Sequence, residues 1–420
     1  MQKLIIQGSR RIGGEMNIQG AKNSVLPLMA ASVLCGGIVN IGNCPAISDR
    51  YAAMRILNHL GCTACERDGY VQIDSGAIRR TDIPDELMRE MRCSVIFMGA
   101  LLGRCEKCRI CFPGGCDLGP RPIDMHLSAL EKMGAEINIG HGEILCSAPD
   151  GLCGAKITLP FPSVGATENI ILAAVLAEGE TIIQNAAREP EIHDLIKFLN
   201  TNGAEIKSAG GRIIINGVKR LTPSAELYEV IPDRIAAATY LSFAAACGGE
   251  LLIKKCCPSH MDAVIPLYEQ MGCYIKCFGS NIYIRSRGKL KTSGTVRTMV
   301  YPGFPTDAQA VLMAPLCIGE GTAVFVENIF ENRYRHTGEM QRMGADIRAE
   351  GKVAVVTGVE GLYGAKVEAP DLRGGAALVC AALSAEGKSI ISRAELIDRG
   401  YERIEDNLNR LGAAVRREAE

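Results

Sequence analysis

The stretch FPGGCDLGPRPIDMH at residues 112–126 places a cysteine where it could take part in chemistry. Cys116 follows Gly114 and Gly115, which leave the backbone free to adopt unusual conformations. Arg121 adds a fixed positive charge nearby, and Asp124 follows it. A neighbouring cation adjusts the pKa of a thiol, and the reactivity of a thiol depends on that pKa. Cys116 is therefore the first candidate for a chemically active residue.

A second set of candidates consists of basic residues near turns that precede predicted helices. Lys22 and Asn23 begin the helix GAKNSVLPLMAASVL, where backbone N–H groups and the helix dipole favour an anion. Arg333, Arg373 and Arg399 lie at comparable points farther along the chain. Because a guanidinium group binds phosphate or carboxylate through two hydrogen bonds, this set predicts a small dianion or trianion as ligand. The alternative for Lys22 is a solvated lysine at a helix start.

Three other segments allow both a structural and a functional interpretation. Arg92 heads the apolar helix MRCSVIFMGALLG, where the dipole disfavours a cation without an anionic partner; a surface arginine is the alternative. FPSVGATEN, which begins at residue 161, is a small-residue turn that can bring backbone close to a ligand. Asp307, in YPGFPTDAQAV, is either a helix N-cap or a catalytic carboxylate.

The segment CEKCRIC, followed by Cys116, has a spacing close to that of zinc or iron–sulfur sites. The residues before the two glycines have the pattern of a strand, which would place Cys105 and Cys111 on one face and Cys108 on the other. One metal ion could not bind all of these thiols. We therefore expect no metal site and no cofactor.

The elements that carry these candidates repeat along the chain. A helix that ends in glycine recurs at intervals of about 70 residues. A regular internal repeat of this kind indicates the architecture more strongly than any single local motif. The glycines are Gly61, Gly134, Gly203, Gly272, Gly344 and Gly412. Each is predicted to end its helix in a left-handed conformation and to lead into a strand, often within a hairpin. An Ala-rich helix such as ENIILAAVLAEG precedes several of these glycine-ended helices. The pattern therefore predicts six α/β repeats.

The sixth repeat stops at GAAVRREAE without its hairpin, whereas the N-terminus supplies the strand-like pieces KLIIQG and GEMNIQG. The simplest arrangement puts both termini in one domain. We therefore predict one lobe over residues 21–230, with repeats one to three and the Cys116 loop. Residues 1–20 and 231–420 would form the other lobe, with repeats four to six, and a substrate would bind in the cleft between them.

The composition excludes several classes of protein. Hydrophobic residues make up 47% of the 420 residues and the formal net charge is −1, so the chain has no basic field for nucleic acid or an anionic membrane. The longest apolar stretch is shorter than the roughly 20 residues of a membrane span, and no signal peptide is apparent. We expect a cytoplasmic protein whose 18 cysteines are mostly reduced. Its oligomeric state is left open.

Several of these segments, taken together, resemble a known family. GAKN, PGGC, RPID, SVGATEN, AAREPEI, PDRI, FPTD, FENR, DLR and DRGYERIED occur in the order and spacing of the UDP-N-acetylglucosamine 1-carboxyvinyltransferases, which are enolpyruvyl transferases. The resemblance covers essentially the whole chain. It implies a two-lobed inside-out α/β barrel with six βαβαββ-type repeats, three per lobe. It also implies a transferase of peptidoglycan synthesis, in cell wall biogenesis, that acts on phosphoenolpyruvate and UDP-N-acetylglucosamine and is a fosfomycin target.

The resemblance also implies roles for individual residues. Cys116 would protonate the methylene carbon of phosphoenolpyruvate as general acid, and Asp307 would receive the proton of the sugar 3′-hydroxyl. A further set would hold the phosphate or the phosphoenolpyruvate end: Lys22, Arg121, Arg399, Arg333 and Arg373. The nucleotide sugar would contact Asn23, Arg92, Arg121, Pro122, Ile123, Asp124, Met125, Phe161, Pro162, Ser163, Val164 and Ile329.

Departures from the family pattern are few. Asp117 follows the cysteine where relatives commonly have a small residue, and Ala236 and Ala238 replace a glutamate and a glycine. Two alternative functions remain open at this point. One is enolpyruvyl transfer to shikimate 3-phosphate, and the other is a non-catalytic paralogue that binds the sugar nucleotide.

Overall fold

The computed structural model describes residues 2–8, 11–111, 123–288, 290–292 and 294–419. The strands of these residues, in chain order, are β1 Gln2–Gln7, β2 Gly13–Asn17, β3 Ile38–Gly42, β4 Thr63–Arg67, β5 Tyr70–Asp74, β6 Asp82–Ile83, β7 Lys107–Cys111, β8 Glu136–Gly140, β9 Glu143–Ser147, β10 Lys156–Thr158, β11 Glu180–Gln184, β12 Glu205–Ala209, β13 Arg212–Asn216, β14 Leu227–Glu229, β15 Glu250–Lys254, β16 Tyr274–Phe278, β17 Asn281–Arg285, β18 Thr295–Arg297, β19 Thr322–Val326, β20 Asp346–Glu350, β21 Val353–Thr357, β22 Lys366–Glu368, β23 Lys388–Ser392 and β24 Ala414–Ala419.

The α-helices are α1 Lys22–Cys35, α2 Ser48–Leu60, α3 Asp85–Glu90, α4 Phe97–Cys105, α5 Asp124–Lys132, α6 Val164–Ala174, α7 Pro190–Thr201, α8 Arg234–Cys247, α9 Ile265–Gln270, α10 Thr306–Leu316, α11 Thr337–Arg342, α12 Leu372–Ser384 and α13 Ile404–Arg410. Short 3-10 helices span Arg92–Ile96, Pro258–Met261 and Ala394–Arg399. Among the described residues, no helix has both the length and the apolar character that a membrane crossing requires.

The described strands form six four-stranded sheets with one shared plan. In each sheet an edge strand pairs in parallel with its neighbour, and the remaining pairs are antiparallel. The orders are β14-β3-β5-β4, β6-β7-β9-β8, β10-β11-β13-β12, β2-β15-β17-β16, β18-β19-β21-β20 and β22-β23-β1-β24. The sixth sheet takes β1 between β23 and β24, so the two ends of the chain meet in one sheet.

The chain divides into two compact units. One unit contains the described residues up to Gln19 together with those from Pro232 onward, and the other contains the described residues from Gly20 to Ile231. Each unit has three of the sheets and its own hydrophobic core. The largely buried helices α1, α4 and α6 lie inside one core, and α8, α10 and α12 lie inside the other.

The six repeat glycines adopt the predicted backbone conformation. Their φ angles lie between 91° and 101°, a region that costs residues with a Cβ atom energy and glycine almost none. At Gly61 the backbone N–H donates to the carbonyl of Asn58, and the next N–H, that of Cys62, donates to Leu57, as in a Schellman cap. The predicted link from helix to strand is therefore confirmed.

One expectation about local structure is wrong, and the N-cap alternative for Asp307 is excluded. Cys105 is not on a strand, because the helical run ALLGRC continues to it and Glu106 then ends the helix with a φ of 58°. Asp307 is not a helix N-cap, because α10 begins after Pro305 and Asp307 lies in its first turn.

Candidate active site

Asp307 lies in an ion-pair cluster with two buried arginines. Its Oδ1 atom accepts a hydrogen bond from Arg333 Nη2 at 2.8 Å, and its Oδ2 atom accepts one from Arg373 Nη2 at 3.0 Å. The two arginine side chains are 3–4% exposed, whereas the Asp307 side chain is 27% exposed. Each carboxylate oxygen therefore has its own cationic donor, and the carboxylate keeps an accessible face.

Three separate elements position this cluster. Asp307 lies in the first turn of α10, and Arg373 follows the N-cap of α12, where Asp371 Oδ1 accepts from two backbone N–H groups. Arg333 comes from the segment between β19 and α11 and also donates to the carbonyl of Thr306 at 3.1 Å. Burial opposes the charge of Arg373, but Tyr401, Asp307 and Asp233 together raise its pKa above the ordinary value. The Arg373 guanidinium is therefore a permanent charge.

Glu327 is a structural residue of this region that the sequence patterns did not reveal. It is fully buried at the end of β19, and its Oε1 atom accepts from the backbone N–H of Ile329 at 2.8 Å and of Phe330 at 3.0 Å. Its Oε2 atom accepts from the Thr306 hydroxyl at 2.9 Å. Glu327 thus fixes Ile329 relative to the turn that carries Asp307.

Lys22 begins α1 and is not a solvated lysine. Lys22 is only 9% exposed, and its Nζ atom lies 2.7 Å from Oδ2 of Asp49, which is fully buried on α2. The adjacent Asn23 is half-buried. The ammonium group is therefore held at a helix N-terminus by a carboxylate from the next helix.

Replacing Lys22 with methionine is expected to lower the free energy of unfolding by about 3 kcal/mol, because the change removes the ammonium from a fully buried carboxylate. Urea denaturation at pH 7 measures the effect. Lys3→Met is the control, since Lys3 pairs with Glu418 at 3.7 Å on the surface. Equal midpoints for Lys22→Met and Lys3→Met would show that the Lys22–Asp49 pair does not stabilise the fold.

The segment Ile123–Met125 leads into α5, and a buried network holds it. Ile123 is 6% exposed, Asp124 is exposed and begins the helix, and Met125 is half-buried. The next residue, His126, accepts at Nδ1 from Asn169 Nδ2 at 2.7 Å. Asn169 also accepts from the backbone N–H of Gly99 at 2.7 Å. A side-chain network that the sequence patterns did not reveal therefore links α5 to α4 and α6.

Burial lowers the pKa of His126 from its ordinary value of 6.5 to about 4, although Asp124 acts in the opposite direction. The folded state therefore binds fewer protons than the unfolded state between these pH values. The contribution of neutral His126 to the unfolding free energy is fully present above pH 6.5. It is lost as the pH falls towards 4, and the total loss is about 3 kcal/mol.

The variant His126→Gln is accordingly expected to show a shallower decrease of the unfolding free energy from pH 6.5 to 4. Denaturant titrations at several pH values measure the slope, and the exposed His193→Gln serves as the control. The interpretation fails when His126→Gln and the wild type lose stability in parallel.

The remaining predicted residues have the following places. Ser163 caps α6 by accepting from the Ala166 N–H at 3.3 Å, Val164 begins that helix, Phe161 is 40% exposed and Pro162 is half-buried. Arg399 is half-buried at the end of the 3-10 helix Ala394–Arg399. Arg92 begins the 3-10 helix Arg92–Ile96 that precedes α4. Cys116, Arg121 and Pro122 lie outside the described residues.

Within single units, the structure brings some of the candidates together. Asp307, Arg333 and Arg373 form one cluster. Lys22 pairs with Asp49, which the sequence patterns did not mark. Asp124 and Met125 follow Ile123 in the first turn of α5.

Comparisons with known proteins agree with this architecture. The family model of EPSP synthase (3-phosphoshikimate 1-carboxyvinyltransferase) matches residues 6–408. Among solved structures, the enolpyruvyl transferase NikO from Streptomyces tendae has a TM-score of 0.88 at 22% identity and covers 99% of this chain and 98% of its own. EPSP synthase from Acinetobacter baumannii has a TM-score of 0.74 at 19% identity and covers 100% of both chains. The predicted α/β fold class is confirmed.

Relatives of known name are considerably more similar in sequence. UDP-N-acetylglucosamine 1-carboxyvinyltransferase 2 of Caldanaerobacter subterraneus subsp. tengcongensis is 47% identical and covers 99% of both chains. UDP-N-acetylglucosamine 1-carboxyvinyltransferase of Nitratidesulfovibrio vulgaris is 45% identical and covers 100% of both. The resemblance seen in the motifs is thereby confirmed, and the chain belongs to the UDP-N-acetylglucosamine 1-carboxyvinyltransferases within the EPSP synthase family.

Proposed function

We propose that this protein transfers the enolpyruvyl group of phosphoenolpyruvate to the 3′-hydroxyl of UDP-N-acetylglucosamine and releases phosphate. This reaction would open the synthesis of peptidoglycan precursors in the cytoplasm. The observation that carries the proposal is the full-length identity of 44–47% to relatives named for this activity. The Asp307–Arg333–Arg373 cluster supports it, because it combines a proton acceptor with permanent cations suited to an anionic substrate.

The cluster suggests how the proton acceptor becomes active. A carboxylate that binds two guanidinium groups is a weak base, because both cations favour its charged form. Phosphoenolpyruvate carries a carboxylate and a phosphate, which can compete for the donors of Arg333 and Arg373. Once the substrate takes over part of these donors, Asp307 accepts the proton of the sugar 3′-hydroxyl while the oxygen adds to C2 of phosphoenolpyruvate.

Cys116 would supply the proton that is added to phosphoenolpyruvate. Its Sγ–H would protonate the methylene carbon C3, so that C2 becomes electrophilic and accepts the sugar oxygen. The tetrahedral intermediate then loses a proton from C3 and releases phosphate, which regenerates the C=C bond. The thiol can also add to C2 and form a phospholactoyl thioether. Lys22, Arg121 and Arg399 would balance the phosphate charge, which rises as phosphate leaves.

The nucleotide sugar would contact the segments at the starts of α5 and α6, together with Asn23 on α1, Arg92 and Ile329. The assigned residues are Asn23, Arg92, Arg121, Pro122, Ile123, Asp124, Met125, Phe161, Pro162, Ser163, Val164 and Ile329. The buried His126–Asn169 contact and the Ser163 cap support this assignment, because they fix the two helix starts on rigid elements.

Acceptor selectivity tests the proposal against its alternatives. Phosphate release from phosphoenolpyruvate is measured with UDP-N-acetylglucosamine or with shikimate 3-phosphate as acceptor. Release that requires the sugar nucleotide supports the proposed reaction, and release only with shikimate 3-phosphate overturns it. The relatives favour the first outcome, since the similarity to EPSP synthase structures is only 19% in sequence. Calorimetric binding of the sugar nucleotide without turnover would identify a non-catalytic paralogue.

A further inference from the structure

Tyr401 contacts the guanidinium group of Arg373 through a different nitrogen from the one that binds Asp307. Arg373 Nη1 lies 3.1 Å from the Tyr401 hydroxyl oxygen, while Nη2 of the same group donates to Asp307 Oδ2. The guanidinium carbon also lies 5.5 Å from the centre of the tyrosine ring. Tyr401 is 1% exposed and Arg373 is 3% exposed, so neither group exchanges these contacts readily for water.

The direction of the hydrogen bonds around Tyr401 follows from Thr239. The Thr239 hydroxyl donates its single proton to the carbonyl of Ile235 at 2.9 Å. Its oxygen must therefore accept the proton of the Tyr401 hydroxyl, which lies 2.8 Å away. The Tyr401 oxygen is then left as an acceptor for Arg373. The hydrogen bonds that link Ile235, Thr239, Tyr401 and Arg373 therefore all run in one direction, and the guanidinium group is the last donor.

Gln19 fixes the backbone on both sides of Tyr401. Its Nε2 atom donates to the carbonyl of Gly400 at 2.9 Å, and its Oε1 atom accepts from the N–H of Glu402 at 2.9 Å. The backbone carbonyl of Gln19 accepts from the N–H of Asp233 at 2.9 Å. One side chain thus brackets Tyr401 and ties it to the point where α8 begins.

We infer that Tyr401 is a positioning residue that holds Arg373 on Asp307, and that Gln19 sets the position of Tyr401. A guanidinium group with five donors has many ways to bind a carboxylate, and the Tyr401 oxygen selects the orientation in which Nη2 faces Asp307. The same orientation presents the group to phosphoenolpyruvate. The inference rests on the proposed function, in which Arg373 contacts that substrate.

Tyr401→Phe tests the hydroxyl while keeping the ring and its contact with the cation. The Michaelis constant for phosphoenolpyruvate is expected to rise about tenfold, as for the loss of one hydrogen bond to a charged group, whereas that for UDP-N-acetylglucosamine is unchanged. Tyr268→Phe is the matched control. Tyr268 is fully buried in the same unit, and its hydroxyl bonds to Ser242 at 2.6 Å and to the carbonyl of Ala238 at 2.9 Å.

Gln19→Glu tests the two hydrogen bonds of the Gln19 side chain without changing Tyr401 itself. The carboxylate has the same shape but places an oxygen against the Gly400 carbonyl where the amide donated a proton. We expect the same selective rise for phosphoenolpyruvate as in Tyr401→Phe. The control is Gln7→Glu, since Gln7 Nε2 donates to the carbonyl of Gly387 at 3.2 Å on the surface.

Two results would overturn the inference in an enzyme that turns over. One is a Michaelis constant for phosphoenolpyruvate that equals that of the controls in both variants. The other is an equal rise of the Michaelis constants for phosphoenolpyruvate and UDP-N-acetylglucosamine. Calorimetric binding of phosphoenolpyruvate alone gives the same comparison without turnover. A wild type that binds phosphoenolpyruvate but releases no phosphate contradicts the proposed function. The inference is then judged by whether Tyr401→Phe weakens this binding about tenfold.

Discussion

Asp307→Asn is expected to reduce the turnover number for phosphate release by about 10²–10⁴-fold, the range typical of losing a general base. The amide has nearly the same shape as the carboxylate but cannot accept the proton of the sugar hydroxyl. It also removes the negative charge between two arginine side chains that are 3–4% exposed. The variant should therefore lose about 3 kcal/mol of unfolding free energy as well, because two buried cations lose their counterion.

The two effects of this substitution are separable. Steady-state phosphate release gives the turnover number, and urea denaturation gives the unfolding free energy. Asp346→Asn is the control, since Asp346 is exposed on β20 in the same unit. An Asp307→Asn enzyme that keeps wild-type turnover would remove Asp307 from the mechanism, whatever its effect on stability.

Cys116→Ala is expected to lower the turnover number by a similar factor of about 10²–10⁴, because the variant has no thiol proton to give to C3 of phosphoenolpyruvate. Cys116→Asp should keep measurable activity, since a carboxylic acid can also deliver a proton. The comparison of the two variants in the phosphate-release assay separates acid catalysis from a packing role. Equal losses in Cys116→Ala and Cys116→Asp would contradict the assignment of Cys116 as the acid.

Alkylation gives a second measurement of the same thiol. Fosfomycin is an epoxide that resembles phosphoenolpyruvate, and opening of its ring by Cys116 Sγ would form a thioether. Burial raises the pKa of Cys35 and Cys317 to about 12 and that of Cys146 to about 11, which keeps these thiols protonated as well as shielded. Peptide mass spectrometry should therefore find the adduct on Cys116, and an adduct on the exposed Cys153 instead would contradict the account.

The fold could be predicted in large part because its signals are local. Each repeat glycine follows an apolar helix, and a left-handed φ is the conformation that glycine adopts most cheaply. The missing hairpin of the sixth repeat predicted that both termini lie in one domain, whereas the position of β1 between β23 and β24 is apparent only in the structure. The position of Cys105 was predicted wrongly, because the short stretch around it fits both a helix end and a strand start.

The site could be predicted only where a residue stands out from its own segment. Lys22, Asp307 and Arg373 each interrupt an apolar helix start, so the sequence marks them. The partners of these residues depend on tertiary packing, and no periodicity indicates that Asp49 faces Lys22 or that His126 bonds to Asn169. Tyr401 lies inside a conspicuous motif, but its contact with Arg373 is apparent only in the structure.

The most direct test of the central claim follows the carbon atoms of the donor. Phosphoenolpyruvate labelled with ¹³C in its three carbons is incubated with the protein and UDP-N-acetylglucosamine, and the nucleotide pool is analysed by mass spectrometry alongside phosphate release. We expect the label to appear in the sugar nucleotide in an amount equal to the phosphate released. Phosphate release without labelled sugar nucleotide, or bound sugar nucleotide with neither product, would contradict enolpyruvyl transfer by this protein.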